Sequence, residues 1–321
     1  MGEELGEELA GRLRAAGLDP HAVTDLAAGA LAEDLAGGTD VTTAAIIAPD
    51  TVASAAVVAR AGGVVAGLPV AEAVFRIAAA GQRGAPPAPA GGGPPPATDR
   101  SLTVRTHATD GARVSRDDVL MTISGPLAGI LVAERTALNL LSHLSGVATL
   151  TRRWVDAVDG TGARIRDTRK TLPGLRAVEK YAVRCGGGVN HRMSLSDAAL
   201  IKDNHVAAAG SVAAAYAAVT GRATGITVEV ECDTLGQVDE AVRAGADLIL
   251  LDNFGIPDMA EAVRRTAGRA RLEASGGLTL DRARAVAMTG VDYLSVGALT
   301  HSAPALDIAL DVAPRPAGAE R

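Results

Sequence analysis

The side chains best suited to gripping an anion crowd between Arg164 and Arg192. Eight Lys/Arg there face only two acids, Asp167 and Glu179, in a 321-residue chain of formal net charge −6. Only three of the 31 basic residues are lysine, and these are Lys170, Lys180 and Lys202. Arginine presents a flat, permanently charged fork, whereas lysine presents a compact, strongly hydrated point charge with rotatable donors. A chain that otherwise uses arginine marks with lysine the places where a fork does not fit. Lys170 and Lys202 follow strand-like text and are expected at a site. Lys180 falls in helical text and is expected on a helix surface, where arginine would serve equally. A cationic pocket in an acidic protein suits a small, multiply charged anion.

Asp167-Thr168-Arg169-Lys170-Thr171 joins two cations to two hydroxyls at a strand end. The arginine fork matches a carboxylate and the lysine a phosphate. Alone, the run reads equally as a solvated basic turn; Asn190-His191-Arg192 and Lys202 nearby favour a site. The triple glycine 186–188 permits unusual backbone angles, a weak signal by itself. Glu231 and Asp252 end successive apolar runs, where carboxylates suit ribose hydroxyls or Mg²⁺, directly or through water. For Asp252 taken alone, helix capping is an equal alternative. Glu229 shares a face with Glu231 but lies farther from the strand end, so it ranks lower. Ser275-Gly276-Gly277 and Val296-Gly297-Ala298 follow the last two strand-like runs, where backbone N–H groups can receive a phosphate.

The elements that must carry these groups alternate. Strands are expected at 163–167, 199–202, 227–231, 248–252, 271–274 and 293–296, with helices between most of them, and a seventh strand is not placed. Buried parallel strands read as continuous apolar runs, as here. Polar residues fall at nearly every strand end, the place where α/β barrels assemble their sites. Upstream, helices are expected over 3–17, 21–35 and 70–79, and strands over 51–65 joined at Gly62-Gly63. Strands return over 101–125, followed by a long helix over 128–158. Residues 82–100, rich in proline and glycine, are expected to form a flexible surface insertion.

Composition closes off other classes. The apolar share is 48%, ample for a core, while aromatics are only 2%. With an acidic balance, that argues against nucleic-acid binding. No run is long and apolar enough for a membrane helix, the N-terminus lacks a signal-peptide core, and two cysteines make no disulfide framework. A cytoplasmic enzyme is expected. No Gly-Lys dipeptide exists for a Walker A loop, and no His/Cys cluster has zinc spacing. His21 and His107 are expected at the surface, and His143 as a structural residue.

The run from Arg166-Asp167-Thr168-Arg169-Lys170-Thr171-Leu172-Pro173-Gly174 through Gly186-Gly187-Gly188-Val189-Asn190-His191-Arg192 and Leu200-Ile201-Lys202-Asp203-Asn204-His205 strongly resembles the quinolinate phosphoribosyltransferases. Supporting blocks are Glu33-Asp34 to Thr43, Glu134-Arg135-Thr136-Ala137-Leu138-Asn139, Leu251-Asp252-Asn253-Phe254 and Glu273-Ala274-Ser275-Gly276-Gly277. The departures are the 82–100 insertion and Ser115-Arg116-Asp117-Asp118, both away from the expected site.

The resemblance implies an α/β fold, an incomplete (open) α/β barrel with an N-terminal α/β sandwich domain, of type II phosphoribosyltransferase kind. The domains would span 1–128 and 129–302, with a C-terminal helix and tail over 303–321 packing back on the first. The implied reaction joins quinolinate to phosphoribosyl pyrophosphate with Mg²⁺, giving nicotinate mononucleotide, pyrophosphate and CO2 in NAD biosynthesis. A homodimer, or a higher assembly, is implied as well. By the same resemblance, Arg135 from the neighbouring subunit joins Arg169, His191 and Arg192 around the quinolinate carboxylates. Lys170, Lys202, Glu231 and Asp252 would be catalytic. Thr168, Ser275, Gly276, Gly277, Val296, Gly297 and Ala298 would complete substrate binding. Competing expectations are a related transferase with another substrate, a barrel aldolase using a Schiff-base lysine, and an anion-binding protein without turnover.

Overall fold

The computed structural model describes residues 5–82, 102–222 and 225–313. The insertion expected at 82–100 lies almost wholly outside them. The chain forms two compact units, one of 1–149 with 304–321 and one of 150–303.

The first unit begins with α1 (Glu7–Ala15), α2 (Pro20–Leu35) and α3 (Val41–Ile46). Asp19 caps α2 by accepting from the His21 N–H, and Pro20 supplies a preset helical φ at the first turn. Strands β1 (Val52–Ala59) and β2 (Gly63–Val64) lead to α4 (Leu68–Gln82), then β3 (Thr103–Thr106), β4 (Arg113–Val114) and β5 (Val119–Pro126). The two strands joined near Gly62-Gly63 go to different sheets: β2 pairs with β4, and β1 with β5. The antiparallel sheet runs β12-β1-β5-β3, where β12 is Ile308–Val312. The tail expected as a helix is therefore a strand over these residues. The open edge of β1 supplies it with a backbone ladder from Ala55–Val312 to Ala59–Ile308.

The long helix α5 (Leu127–Ala157) crosses from one unit to the other at 149/150, some twenty residues beyond the boundary at 128/129 that sequence suggests. The reason is packing along its middle turns. Ser145 Oγ accepts from the Ala66 N–H, Thr149 Oγ1 from the Val64 N–H, and Leu144 closes on Gly67.

In the second unit, strands and helices alternate. They run β6 (Arg164–Arg166), α6 (Arg176–Cys185), β7 (Ala198–Ile201), α7 (Asp203–Ala209), α8 (Val212–Thr220), β8 (Thr227–Cys232), α9 (Leu235–Arg243) and β9 (Leu248–Asp252). The unit ends with α10 (Ile256–Thr266), β10 (Arg271–Ser275), α11 (Leu280–Ala287), β11 (Tyr293–Ser295) and α12 (Ala298–His301). The six strands make one parallel sheet, in the order β6-β11-β10-β9-β8-β7. Strands β6 and β7 are consecutive in sequence yet stand at opposite ends of it, so the barrel is open. A single bridge, Arg166 to Val189, extends the β6 edge where a seventh strand would lie.

Alternation along β8 sorts its side chains. Val228, Val230 and Cys232 share one face, Glu229 and Glu231 the other. A barrel interior is ordinarily filled by branched apolar side chains. Here one interior layer is polar: Arg166, Glu229, Glu273 and Ser295 come from four different strands.

Candidate active site

At the C-terminal ends of these strands a cavity of about 600 Å³ opens. Its walls carry Thr168, Arg169, Lys170, His191, Arg192, Lys202, Glu231, Asp252, Ser275, Gly276 and Gly277, together with Leu200, Leu250, Asn253, Glu273 and Ser295. Eleven residues expected at the site from sequence thus surround one space. Gly297 borders it, since a Cβ there would lie 3.0 Å from Lys170 Cδ and 3.5 Å from Thr168 Oγ1. Val296 is buried behind it, and Ala298 opens α12. Arg135 is exposed on α5 in the first unit and is not among the lining residues.

Each wall has a local cause. Thr168 Oγ1 accepts from the Lys170 N–H at 3.0 Å, which turns the chain directly after β6. Thr300 Oγ1 donates to the Lys170 carbonyl at 2.8 Å and holds that turn from behind. Lys202 precedes α7, and its Nζ donates to Glu231 Oε2 at 2.9 Å. Asn253, in the left-handed region at φ 57, donates its side-chain amide to Asp252 Oδ2 at 2.7 Å. Gly276 has φ 88, and a Cβ there would meet Asn253 Oδ1 at 2.2 Å, so only glycine fits. The N–H groups of Gly276 and Gly277 find no acceptor among the described residues.

Arg169 carries a second such vacancy in bonding: its Nε is buried without a partner among the described residues. Arg192 donates from Nη1 to the Ala198 carbonyl at 2.9 Å. Burial first, and the neighbouring Arg169 charge second, press its pKa below the usual guanidinium value. Two guanidiniums facing one another are stabilised by an anion placed between them.

Below the cavity, Arg166 pairs with Glu273 and lies 3.8 Å from Glu229. Ser295 donates to the other Glu273 oxygen. Burial works against the Arg166 charge, but Glu273 and Glu229 outweigh it and raise its pKa. Burial, reinforced by Glu229, pushes the Glu273 carboxyl up to about 7. Glu229 is also raised, again chiefly by burial. His191 is pulled down to about 4, first by burial. Its ring is therefore neutral near pH 7, and both nitrogens are engaged. Nδ1 accepts from the Arg192 N–H at 2.7 Å, which places the proton on Nε2, 3.0 Å from Glu229 Oε2. Ligand atoms of His191, Glu229 and Glu273 lie within 4.8 Å of one another, close enough for a metal ion. Arg166 already supplies the cation that these acids need.

Lys180 departs most from expectation. It is not on a helix surface; it is fully buried, at 0% exposure. Its Nζ donates to Asp167 Oδ1 at 2.5 Å, the His191 carbonyl at 2.7 Å and the Arg192 carbonyl at 3.0 Å. The helix turns this residue toward β6, where burial lowers its pKa and the Asp167 carboxylate offsets only part of that effect. Sequence reasoning also assigned no role to Arg166, Asp167, Glu273 and Asn253, although each falls in a run that it singled out. A usable signal was present for one of them: Glu273 precedes Ser275 by two residues, as Glu229 precedes Glu231.

The site is thus an open parallel barrel with a cationic cavity at its strand ends, flanked by two strand-end carboxylates and a glycine turn, the layout of an α/β-barrel protein that binds anions. Residues 147–311 match the C-terminal domain of quinolinate phosphoribosyl transferase, and residues 40–145 match its N-terminal domain. The chain belongs to the quinolinate phosphoribosyl transferase family. It is 49% identical to the carboxylating nicotinate-nucleotide pyrophosphorylase of Mycobacterium leprae over 88% of this chain and 94% of that protein. A probable enzyme of the same name from Bacillus subtilis is 45% identical over 67% of this chain and 74% of its own length. The crystal structure of NadC from Streptococcus pyogenes superposes with a TM-score of 0.82 at 38% identity, covering 92% of this chain and 99% of that one.

Proposed function

We propose that this cavity joins quinolinate to phosphoribosyl pyrophosphate and releases nicotinate mononucleotide, pyrophosphate and CO2. The observation that carries the reading is the buried, unpartnered Nε of Arg169 beside Arg192. A pyridine with two adjacent carboxylates supplies acceptors for both guanidiniums at once. Lys170, Lys202 and the N–H groups of Gly276 and Gly277 are suited to the phosphate groups. Each unit-charge contact near 4 Å contributes roughly 4 kcal/mol at an effective dielectric of about 20, so a dense cluster of cations is required.

Departure of pyrophosphate leaves positive charge on the ribosyl carbon, and the pyridine nitrogen attacks it. That nitrogen becomes quaternary. The C–C bond to the adjacent carboxylate then breaks, CO2 leaves, and the electron pair stays on the ring carbon beside the positive nitrogen until a proton replaces it. Positioning and electrostatics carry the rate, with no strong general base. A Schiff-base route on Lys170 or Lys202 would use one lysine and leave Arg169 and Arg192 without a role.

Glu231 and Asp252, on adjacent strands, offer the oxygen donors that Mg²⁺ takes when substrate phosphates complete its shell. Mg²⁺ held by Glu231 and Asp252 would supply positive charge against the leaving pyrophosphate. The same carboxylates suit the ribose hydroxyls.

We read the enzyme as a homodimer in which Arg135 of one subunit serves the cavity of another. Exposed Val41, Ile46 and Val52 in the first unit support a covered face there. Among the described residues no helix is long and apolar enough to cross a membrane. Cys185 and Cys232 form no disulfide, which suits the cytoplasm. The deciding experiment is incubation with quinolinate, phosphoribosyl pyrophosphate and Mg²⁺, scoring CO2 and nicotinate mononucleotide, with nicotinate as the control acceptor. No product from quinolinate would end this reading.

A further inference from the structure

We propose that Lys180 and Asp167 form a buried positioning pair that fixes the distance between the two carboxylate-binding arms of the cavity. The inference rests on the function proposed above and assigns residues that touch no substrate.

Asp167 is fully buried and directly follows β6, just before Thr168-Arg169-Lys170. One arm therefore begins at this carboxylate. The other arm, Asn190-His191-Arg192, is hooked onto it: Oδ1 accepts from the His191 N–H at 2.8 Å, and Oδ2 from the Asn190 side chain. Lys180 completes the clasp. Its three donors go to Asp167 Oδ1 and to the carbonyls of His191 and Arg192, so two of the three hold the second arm itself. Asn190 also donates to the Lys180 carbonyl at 2.9 Å, which ties the arm to α6.

No sheet ladder does this work. Only Val189 bridges to β6, and beyond it the arm leaves the sheet. A desolvated ion pair is a poor device for stability alone, since apolar replacements of similar volume are often neutral or stabilising. What this pair supplies is direction. The tetrahedral ammonium fits three acceptors at three angles, while a planar guanidinium cannot reach all three.

Removing one partner would strand a buried charge, so the test removes both together, Lys180→Met with Asp167→Asn. The expected result is a folded protein, by circular dichroism and thermal melting, whose KM for quinolinate rises by about tenfold or more, and by more than KM for phosphoribosyl pyrophosphate, which shares only Lys170 with the displaced arms. A folded variant with an unchanged quinolinate KM overturns the proposal. Should the variant not fold, the wild-type protein decides. With only three lysines, ¹⁵N-lysine labelling gives three side-chain ammonium signals, of which that of buried Lys180 exchanges slowest. Saturating quinolinate should shift it, and inorganic pyrophosphate should not. An unmoved signal overturns the proposal as surely. Absence of quinolinate turnover or binding in the wild type would instead refute the functional reading, so the two failures are distinct.

Discussion

Lys202 Nζ lies 2.9 Å from Glu231 Oε2, which joins the end of β7 to the end of β8 across the mouth of the cavity. The lysine is exposed and its partner is half-buried, so the pair is reachable by substrate on the lysine side. Each residue also restrains the other before any ligand arrives.

Because the two are coupled, their variants should not add. Glu231→Gln is expected to lower kcat on the order of 10²-fold, the scale of a lost electrostatic contact in a transition state. Lys202→Met should chiefly raise KM for phosphoribosyl pyrophosphate. A double-mutant cycle on kcat/KM should show the pair losing less than the sum. Strict additivity would mean that the contact has no part in turnover.

Lys170→Arg should cost activity although charge is kept. The side chain runs close past Gly297, where a Cβ would lie 3.0 Å from its Cδ, and Thr300 fixes its carbonyl. A planar fork would displace the anion it meets, and a misplacement of about 1 Å costs on the order of 10²-fold. Near-wild-type kcat in this variant would contradict the geometry. Lys180→Arg should be damaging too, contrary to what its helical setting suggests, because its surroundings leave no space for the larger group.

Gly276→Ala combines two penalties. The left-handed backbone costs about 1–2 kcal/mol for a non-glycine residue, and the new Cβ collides with Asn253 Oδ1. A lower melting temperature and a raised KM for phosphoribosyl pyrophosphate are expected together. The same change at Gly277, where no atom lies within 4 Å, should be milder.

The layer beneath the cavity predicts opposed pH dependences. His191 falls from 6.5 to about 4 on folding, so its contribution to stability is full above 6.5 and is lost as pH drops toward 4. Glu273 rises from 4.5 to about 7, so its contribution is full below 4.5 and is lost as pH climbs through 7. In wild type the two largely offset one another between pH 4.5 and 6.5. Glu273→Gln should therefore melt more steeply downward on acidification than wild type. His191→Gln should gain relative stability over the same window. Parallel melting curves for all three proteins would refute the assignment.

Much of this was legible in the sequence. The six parallel strands and the basic strand-end runs follow from apolar periodicity and charge placement, both local in the chain. The long helix was readable for the same reason. What escaped were features set by neighbours distant in sequence. Lys180 reads as a surface residue because nothing beside it says that Asp167 waits opposite. The pairing of β2 with β4, and of β12 with β1, depends on which edge is open, and that is a property of the assembled sheet. His191 was recognised as belonging to the site, yet the engagement of both its ring nitrogens needs Glu229, a residue ranked below its neighbour from strand position alone.

The barrel's missing closure between β6 and β7 has an evolutionary corollary. The segment that we propose meets the acceptor acid springs from a seam where side chains, not a backbone ladder, dictate the path of the chain. Substitutions there can redraw the shape of the acceptor pocket without unzipping any strand, whereas the phosphate-facing turn after β10 is anchored to a fully paired strand. Divergence toward new acids within this architecture should accumulate at the seam, with the sugar-phosphate half left unaltered.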